Sequence, residues 1–238
     1  MINNKKVLAI IPARGGSKGI KDKNIYPVLG KPLIQYTLEA AKRSQYIDRI
    51  YVSTDSEKIA NVSTNLGFSV TEFRPLELAT DDAKTIDVVL HVIKELINKN
   101  EYFDYVVVLQ PTQPLRQTLH IDESIELIAI KDDDSLLSVT KVAEHPLFIR
   151  TIDENGYLRS LIESNSTVRR QELSDYYIVN GAIYINTIDS LTKDTSLNDN
   201  KTAYVMNQEY HLDIDDYSDI HELEYKLKLN ILEIKRDY

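Results

Sequence analysis

The sequence predicts an α/β chain, a mainly parallel sheet flanked by helices with one protruding arm, and three observations carry that expectation. Apolar runs of strand length alternate with segments of helical period, the pattern left by β-α-β units. A glycine-rich cationic stretch follows the first run directly, where open α/β sheets bind ligands. Hydrophobic residues make up 42% of 238 positions and charged residues 27%, enough to fill one core and too apolar for a disordered chain.

In chain order the strand candidates are 6–11, 49–53, 68–72, 104–110, 135–142, 181–186 and 202–206. Pro32 suits the first turn of a helix, and Leu33, Tyr36, Thr37, Ala40 and Ala41 then recur at helical spacing. Thr54, Asp55 and Ser56 offer a cap for a second helix running to about Leu66, and Gly67 stops it. Ile86, Val89, Leu90, Ile93 and Ile97 give a third apolar stripe, and 121–130 a fourth. These stripes read as core. Between about 143 and 180 the alternation breaks into turns such as Asn155-Gly156 and short strand-like pieces. The expectation is one domain over 1–238 carrying an inserted arm at 143–180.

Composition excludes several classes of function. The longest apolar run, Val7 to Ile11, is far below the roughly 20 residues of a membrane span. The N-terminal residues lead into it without a small-residue cleavage site, so a cytoplasmic protein is expected. With no cysteine there is no disulfide, thiolate metal site or cysteine nucleophile. A net charge of −9 argues against nucleic acid as partner, since duplex binding rests on many Lys/Arg–phosphate contacts. The charge is polarised, however. Residues 1–31 hold seven Lys/Arg against Asp22 alone, whereas Glu209 to Glu224 hold seven acids and no Lys or Arg. Both runs could be solvated surface; a small polyanion with a divalent cation would also satisfy both ends.

The stretch from Pro12 to Asn24 (PARGGSKGIKDKN) puts three of the seven glycines within five positions. Such glycines let backbone N–H groups surround an anion, and Arg14, Lys18, Lys21 and Lys23 add positive charge. Neither Walker A nor Gly-x-Gly-x-x-Gly spacing fits, so phosphates would be held differently. Gly15 to Gly19 does match the Gly-x-Ser-x-Gly nucleophile elbow, with Asp189 or Asp213 and His211 or His221 as notional partners. That elbow needs a strand leading straight into the serine, and Pro12 and Arg14 intervene. No histidine spacing for zinc occurs, and His91 lies on a helical face as a structural residue.

The first loop, together with Val52-Ser53-Thr54-Asp55, Arg74-Pro75 with Glu77-Leu78-Ala79, the run from Gln110 to Arg116 (QPTQPLR), Arg170-Gln171, the run from Asn180 to Tyr184 (NGAIY) and Asp213-Ile214-Asp215, resembles the CMP-sialic acid synthetases, or acylneuraminate cytidylyltransferases. The likeness spans nearly the whole chain, and its strength lies in the order and gaps of individually weak pieces. It implies a Rossmann-like nucleotidyltransferase fold and a reaction in which CTP and a nonulosonic acid, a nine-carbon sugar acid, give CMP-sugar and pyrophosphate by in-line attack of the anomeric hydroxyl on the α-phosphorus. By the same likeness Arg14, Lys18 and Lys23 serve the triphosphate, Ser17 and nearby N–H groups complete the cradle, and Asn24, Arg74 and Thr85 read cytosine and ribose. Gln110, Arg170, Gln171, Asn180 and Tyr184 are the matching sugar positions, although Asn180-Gly181 also suits a plain turn and Tyr184 a core.

Asp213 and Asp215 are two apart, so in an extended segment both carboxylates face one way and can share Mg2+ or Mn2+. Alone that spacing is weak; at the end of this pattern it reads as a metal site. The arm corresponds to the family's dimerisation arm, which implies a homodimer. One position departs from the pattern: after His145-Pro146-Leu147, where family members can carry lysine, this chain has Phe148 and then Arg150. Recognition of the sugar's acyl or carboxyl group is therefore open. Also open are another sugar acid as substrate and a catalytically silent nucleotide-binding protein of the same fold.

Overall fold

The computed structural model describes residues 1–162 and 173–234. Six strands form the main sheet: β1 (Val7–Pro12), β4 (Ile47–Ser53), β5 (Tyr105–Val108), β6 (Ser135–Lys141), β9 (Tyr177–Thr187) and β10 (Thr202–Met206), in the order β10-β6-β9-β5-β1-β4. β1 runs parallel to β4 and β5, and β10 parallel to β6, while β9 is antiparallel to both its neighbours. The sheet is thus mixed, with parallel pairs on either side of one reversed strand. Two ribbons stand apart, β2 (Pro27–Val28) with β3 (Lys31–Pro32), and β7 (Arg150–Ile152) with β8 (Leu158–Ser160).

β1 is buried from Val7 to Ile11, and its side chains divide the core by their period of two. Val7, Ala9 and Ile11 pack with α1 (Leu33–Lys42), α2 (Glu57–Asn65) and α4 (Thr118–Lys131) on one face. Leu8 and Ile10 pack with α3 (Thr85–Asn98) on the other. A third apolar cluster lies off the sheet and unites Ile20, Leu33 and Leu115 with Leu212, Ile214, Ile220 and Leu223, the last two from α5 (Tyr217–Ile234). This cluster clamps the loop after β1 to a segment almost two hundred residues away.

Several expectations need correction. Residues 68–72 form no strand. Gly67 takes a left-handed φ of +89° and Phe68 N–H turns back to donate to the Ser63 carbonyl, so the chain leaves α2 in a tight turn, without a ladder partner. The helix after Thr54-Asp55-Ser56 is present, but Ser56 at its N-cap makes no side-chain capping bond. Thr54 Oγ1 instead accepts from Ser56 N–H, and Asp55 points to the first loop. Asn180-Gly181 is not a turn but an irregularity inside β9, opposite the register shift between Leu137 and Val139 of β6. The region expected as an arm contains the β7–β8 ribbon outside the main sheet, with Ile149, Ile152, Tyr157, Leu158 and Leu161 exposed. Among the described residues no helix is long and apolar enough to cross a membrane.

Candidate active site

A cleft of about 400 Å³ opens beyond the carboxyl ends of β1 and β5. Arg14, Ser17, Lys18, Lys23 and Asn24 from the first loop line one side. Arg74, Asp81, Ala83 and Thr85 come from the segment leading into α3, and Gln110, Thr112 and Asp215 also line the cleft, whereas Asp213 is not among its lining residues. The loop and the aspartate segment touch directly. A Cβ on Gly19 would lie 2.2 Å from the Asp215 carbonyl oxygen, so only glycine fits. Lys23 Nζ donates to the Ile214 carbonyl at 2.6 Å and to Asp215 Oδ1 at 3.1 Å. The cause is apolar: Leu212 and Ile214 are buried with Ile20, and the alternate residues Asp213 and Asp215 are left exposed.

The loop's shape is fixed by residues beside it. Gly15 N–H donates to Asp55 Oδ1 at 2.8 Å, and the buried Asn24 donates from Nδ2 to the Arg14 carbonyl at 3.0 Å. Buried Arg74 donates from Nε to Ser53 Oγ at 3.0 Å and from Nη2 to the Ser53 carbonyl at 2.6 Å. Burial pushes its pKa down to about 10, Asp55 opposing and Arg14 assisting, so it stays charged at neutral pH. Asn24 and Arg74 thus spend part of their hydrogen-bonding capacity on holding the cleft's own backbone.

Arg14 and Lys18 converge on one carboxylate that the sequence reading left out. Asp81 accepts from Arg14 Nη2 at 2.5 Å and pairs with Lys18 Nζ at 2.6 Å, and Lys18, then Arg14, hold its carboxyl below the usual range.

Gln110 and Thr85 also border a second cavity of about 480 Å³, walled by Tyr184, Lys193 and Asn198. Tyr184 is nearly buried against the α3 face and its hydroxyl donates to Asn198 Oδ1 at 2.9 Å. Asn180 is not brought to either cavity. Its Nδ2 donates to Thr140 Oγ1 and Met206 Sδ, and its Oδ1 accepts from Ser138 Oγ and Ala182 N–H, so the amide is spent inside the sheet. Arg170 and Gln171 lie outside the described residues. At the departure from the pattern, Phe148 lines a small cavity with Lys141, Glu144 and His145, and Arg150 Nη1 donates to the carbonyls of Leu147 and Ile149.

The aspartate pair fits a divalent cation on one physical ground. Although Asp213 is exposed as a residue, burial of its carboxyl raises its pKa, with the Asp215 charge adding and a Thr112 hydrogen bond and Lys23 opposing. Asp213 thus senses the negative charge of Asp215, which itself pairs with Lys23 at 3.1 Å. No cluster of three or more acidic or imidazole side chains that could hold a metal ion occurs among the described residues.

Residues 8–235 match the model of a family described as Cytidylyltransferase. The chain belongs to the cytidylyltransferase family. It is 37% identical over 217 residues to N-acylneuraminate cytidylyltransferase of Streptococcus agalactiae serotype V, covering 90% of this chain and 51% of that protein. The chain therefore spans about half the length of the streptococcal relatives it matches. It is 35% identical over 192 residues to CMP-N,N'-diacetyllegionaminic acid synthase of Legionella pneumophila, covering 80% and 82%. With pseudaminic acid cytidylyltransferase of Campylobacter jejuni serotype O:2 it shares 32% over 227 residues, covering 94% and 97%. Its fold is similar to that of a CMP:2-keto-3-deoxy-manno-octonic acid synthetase complexed with CTP, with a TM-score of 0.72 at 15% identity over 94% and 99% of the two chains.

Within this family chain, sequence reading missed Asp55, Asp81, Thr112 and Asn198 as part of the site. Asp55 and Asp81 sat inside quoted or adjoining motifs, Thr54-Asp55 and Glu77-Leu78-Ala79, and carried a signal; Asn198, in a stretch without pattern, carried none.

Proposed function

We propose that this chain transfers a cytidylyl group from CTP to the anomeric hydroxyl of a sialic-acid-like nonulosonic acid, with release of pyrophosphate. The observation that carries the reading is the meeting of the glycine-spaced cationic loop with Asp215 in one cleft, packed too closely for any side chain at Gly19, with Asp213 two residues before it.

In this reading Arg14 and Lys18 hold triphosphate oxygens, with Ser17 and the loop N–H groups around them, and Lys23 stays between the phosphates and Asp215. Charge-assisted hydrogen bonds of this kind, fixed before the reaction, stabilise charge moving onto the pyrophosphate. Thr85, Asn24 and Arg74 offer the hydroxyl, amide and guanidinium that a cytidine edge needs. Asp213 and Asp215 would hold Mg2+ or Mn2+; when bound, the ion supplies neutralisation of the phosphates and lowers the pKa of an oxygen bound to it. The anomeric oxygen forms a bond to the α-phosphorus as the bond to the pyrophosphate oxygen breaks, and the hydroxyl proton leaves to solvent or base. Positioning and charge neutralisation suffice, with no covalent intermediate.

The second cavity, bordered by Gln110 and Tyr184, is our choice for the sugar. Arg170 and Gln171 are assigned to it from the family resemblance alone. We further read 1–238 as one domain whose arm, 143–180, pairs two copies into a homodimer; the exposed apolar side chains on the β7–β8 ribbon and at Tyr176 to Val179 support this. A CTP-consuming enzyme of this kind is assigned to the cytoplasm.

The test is turnover with CTP, Mg2+ and a panel of nonulosonic acids, read by pyrophosphate release. Release with at least one sugar, and none with ATP, is expected. Tight CTP binding without release from any sugar acid would leave a silent nucleotide-binding protein instead.

A further inference from the structure

Asp81 sits on the strap, residues 79–84, between the short helix Leu76–Leu78 and α3. Its two oxygens bridge the Arg14 guanidinium and the Lys18 ammonium, as two oxygens of one phosphate would. Arg14 Nη1 also donates to the Ala79 carbonyl at 3.2 Å, so the same cation grips the strap twice. We infer that Asp81 is an internal occupant of the triphosphate seat, which the incoming polyphosphate must displace. This rests on the reading of the cleft as a nucleoside triphosphate site.

The pairing has the right strength for that role. Asp81, Arg14 and Lys18 keep 43%, 34% and 78% of their side-chain surface exposed, and pairs so wet contribute little each. A polyphosphate carrying several negative charges outcompetes a single carboxylate for the two cations. The carboxylate nevertheless lowers apparent affinity, because the binding-competent seat is only the fraction of molecules from which Asp81 has left. The strap reaches further: Ala83 lines both the cleft and the adjoining cavity, and Asp82 and Lys84 line that cavity. Release of Asp81 therefore frees the wall that the two share.

Calorimetric binding of inorganic pyrophosphate alone, at low salt and without metal, tests this on the full chain. Asp81→Asn should bind about three- to tenfold tighter than wild type, the range expected for removing one or two exposed ion pairs. The gap should narrow as salt rises. Glu77→Gln, an equal loss of charge on the neighbouring short helix, should bind as wild type does. Equal or weaker binding by Asp81→Asn, or equal tightening by Glu77→Gln, overturns the inference. Failure of the wild type to turn over CTP would sink the proposed function and leave this comparison intact.

Discussion

The carbonyl of Asp215 occupies the space that a side chain on residue 19 would need, 2.2 Å from an ideal Cβ. Backbone meets backbone there, and a flexible side chain cannot give way. Gly19→Ala should therefore push the loop and the aspartate segment apart. CTP turnover should fall by about 10² or more, the scale on which small misplacements of catalytic groups act, while the sheet stays folded. Steady-state kinetics beside far-ultraviolet circular dichroism check both halves.

Asp215→Ala should lower kcat by about 10² or more, comparable to deleting a main electrostatic stabiliser, and chelation by EDTA should abolish pyrophosphate release until Mg2+ is restored. Near-wild-type turnover of the variant would remove Asp215 from the proposed metal site.

Asp55 shapes the loop from outside it by accepting the Gly15 N–H. Asp55→Ala leaves that donor without its carboxylate and the loop less fixed. KM for CTP should rise about tenfold, equivalent to about 1.4 kcal/mol, with a smaller change in kcat. A fall in kcat alone would assign Asp55 to the chemical step.

Arg116 is a core residue in spite of its charge. It is buried and donates to the carbonyls of Gln110 and Ala182 and to Thr37 Oγ1, and burial pushes its pKa down to about 9, which leaves it charged at neutral pH. Arg116→Met strands those acceptors and should cost about 3 kcal/mol of stability, read by urea denaturation.

The turn of the β7–β8 ribbon gives a pH dependence. Asp153 accepts from the N–H groups of Tyr157 and Asn155 and from Arg159, and its pKa lies below the ordinary carboxylate value, the Tyr157 bond contributing most. A depressed folded pKa means the stabilisation is present in full above the unfolded value of about 3.9 and is lost as pH falls through the lower folded one. Hydrogen exchange at the Tyr157 amide should therefore quicken only below about pH 4 relative to a matched Asp153→Asn protein.

Much of the site was legible because its signals are local. The glycines of the first loop, the cations among them, the alternation that buries Leu212 and Ile214 and exposes Asp213 and Asp215, and the ordered motifs all sit within short windows. An Asn-Gly pair such as Asn180-Gly181 reads alike as a turn or a ligand, and only the neighbours Ser138, Thr140 and Met206 show that the Asn180 amide is spent in the sheet. Asp55 looked like a helix cap, since capping is a local rule, whereas its actual partner lies forty residues away across the sheet edge.

By itself the sequence determined the alternation of strands and helices, the glycine-spaced cationic character of the loop after β1 and the family pattern, since each depends on residue type and spacing. Tertiary structure alone decided that β9 runs against its neighbours, that Ile20 and Ile214 bury together and so bring cations to carboxylates, and that Asp81 rests between Arg14 and Lys18. Those are pairings across long stretches of chain, fixed by which apolar faces exclude water together, and no local window contains both partners.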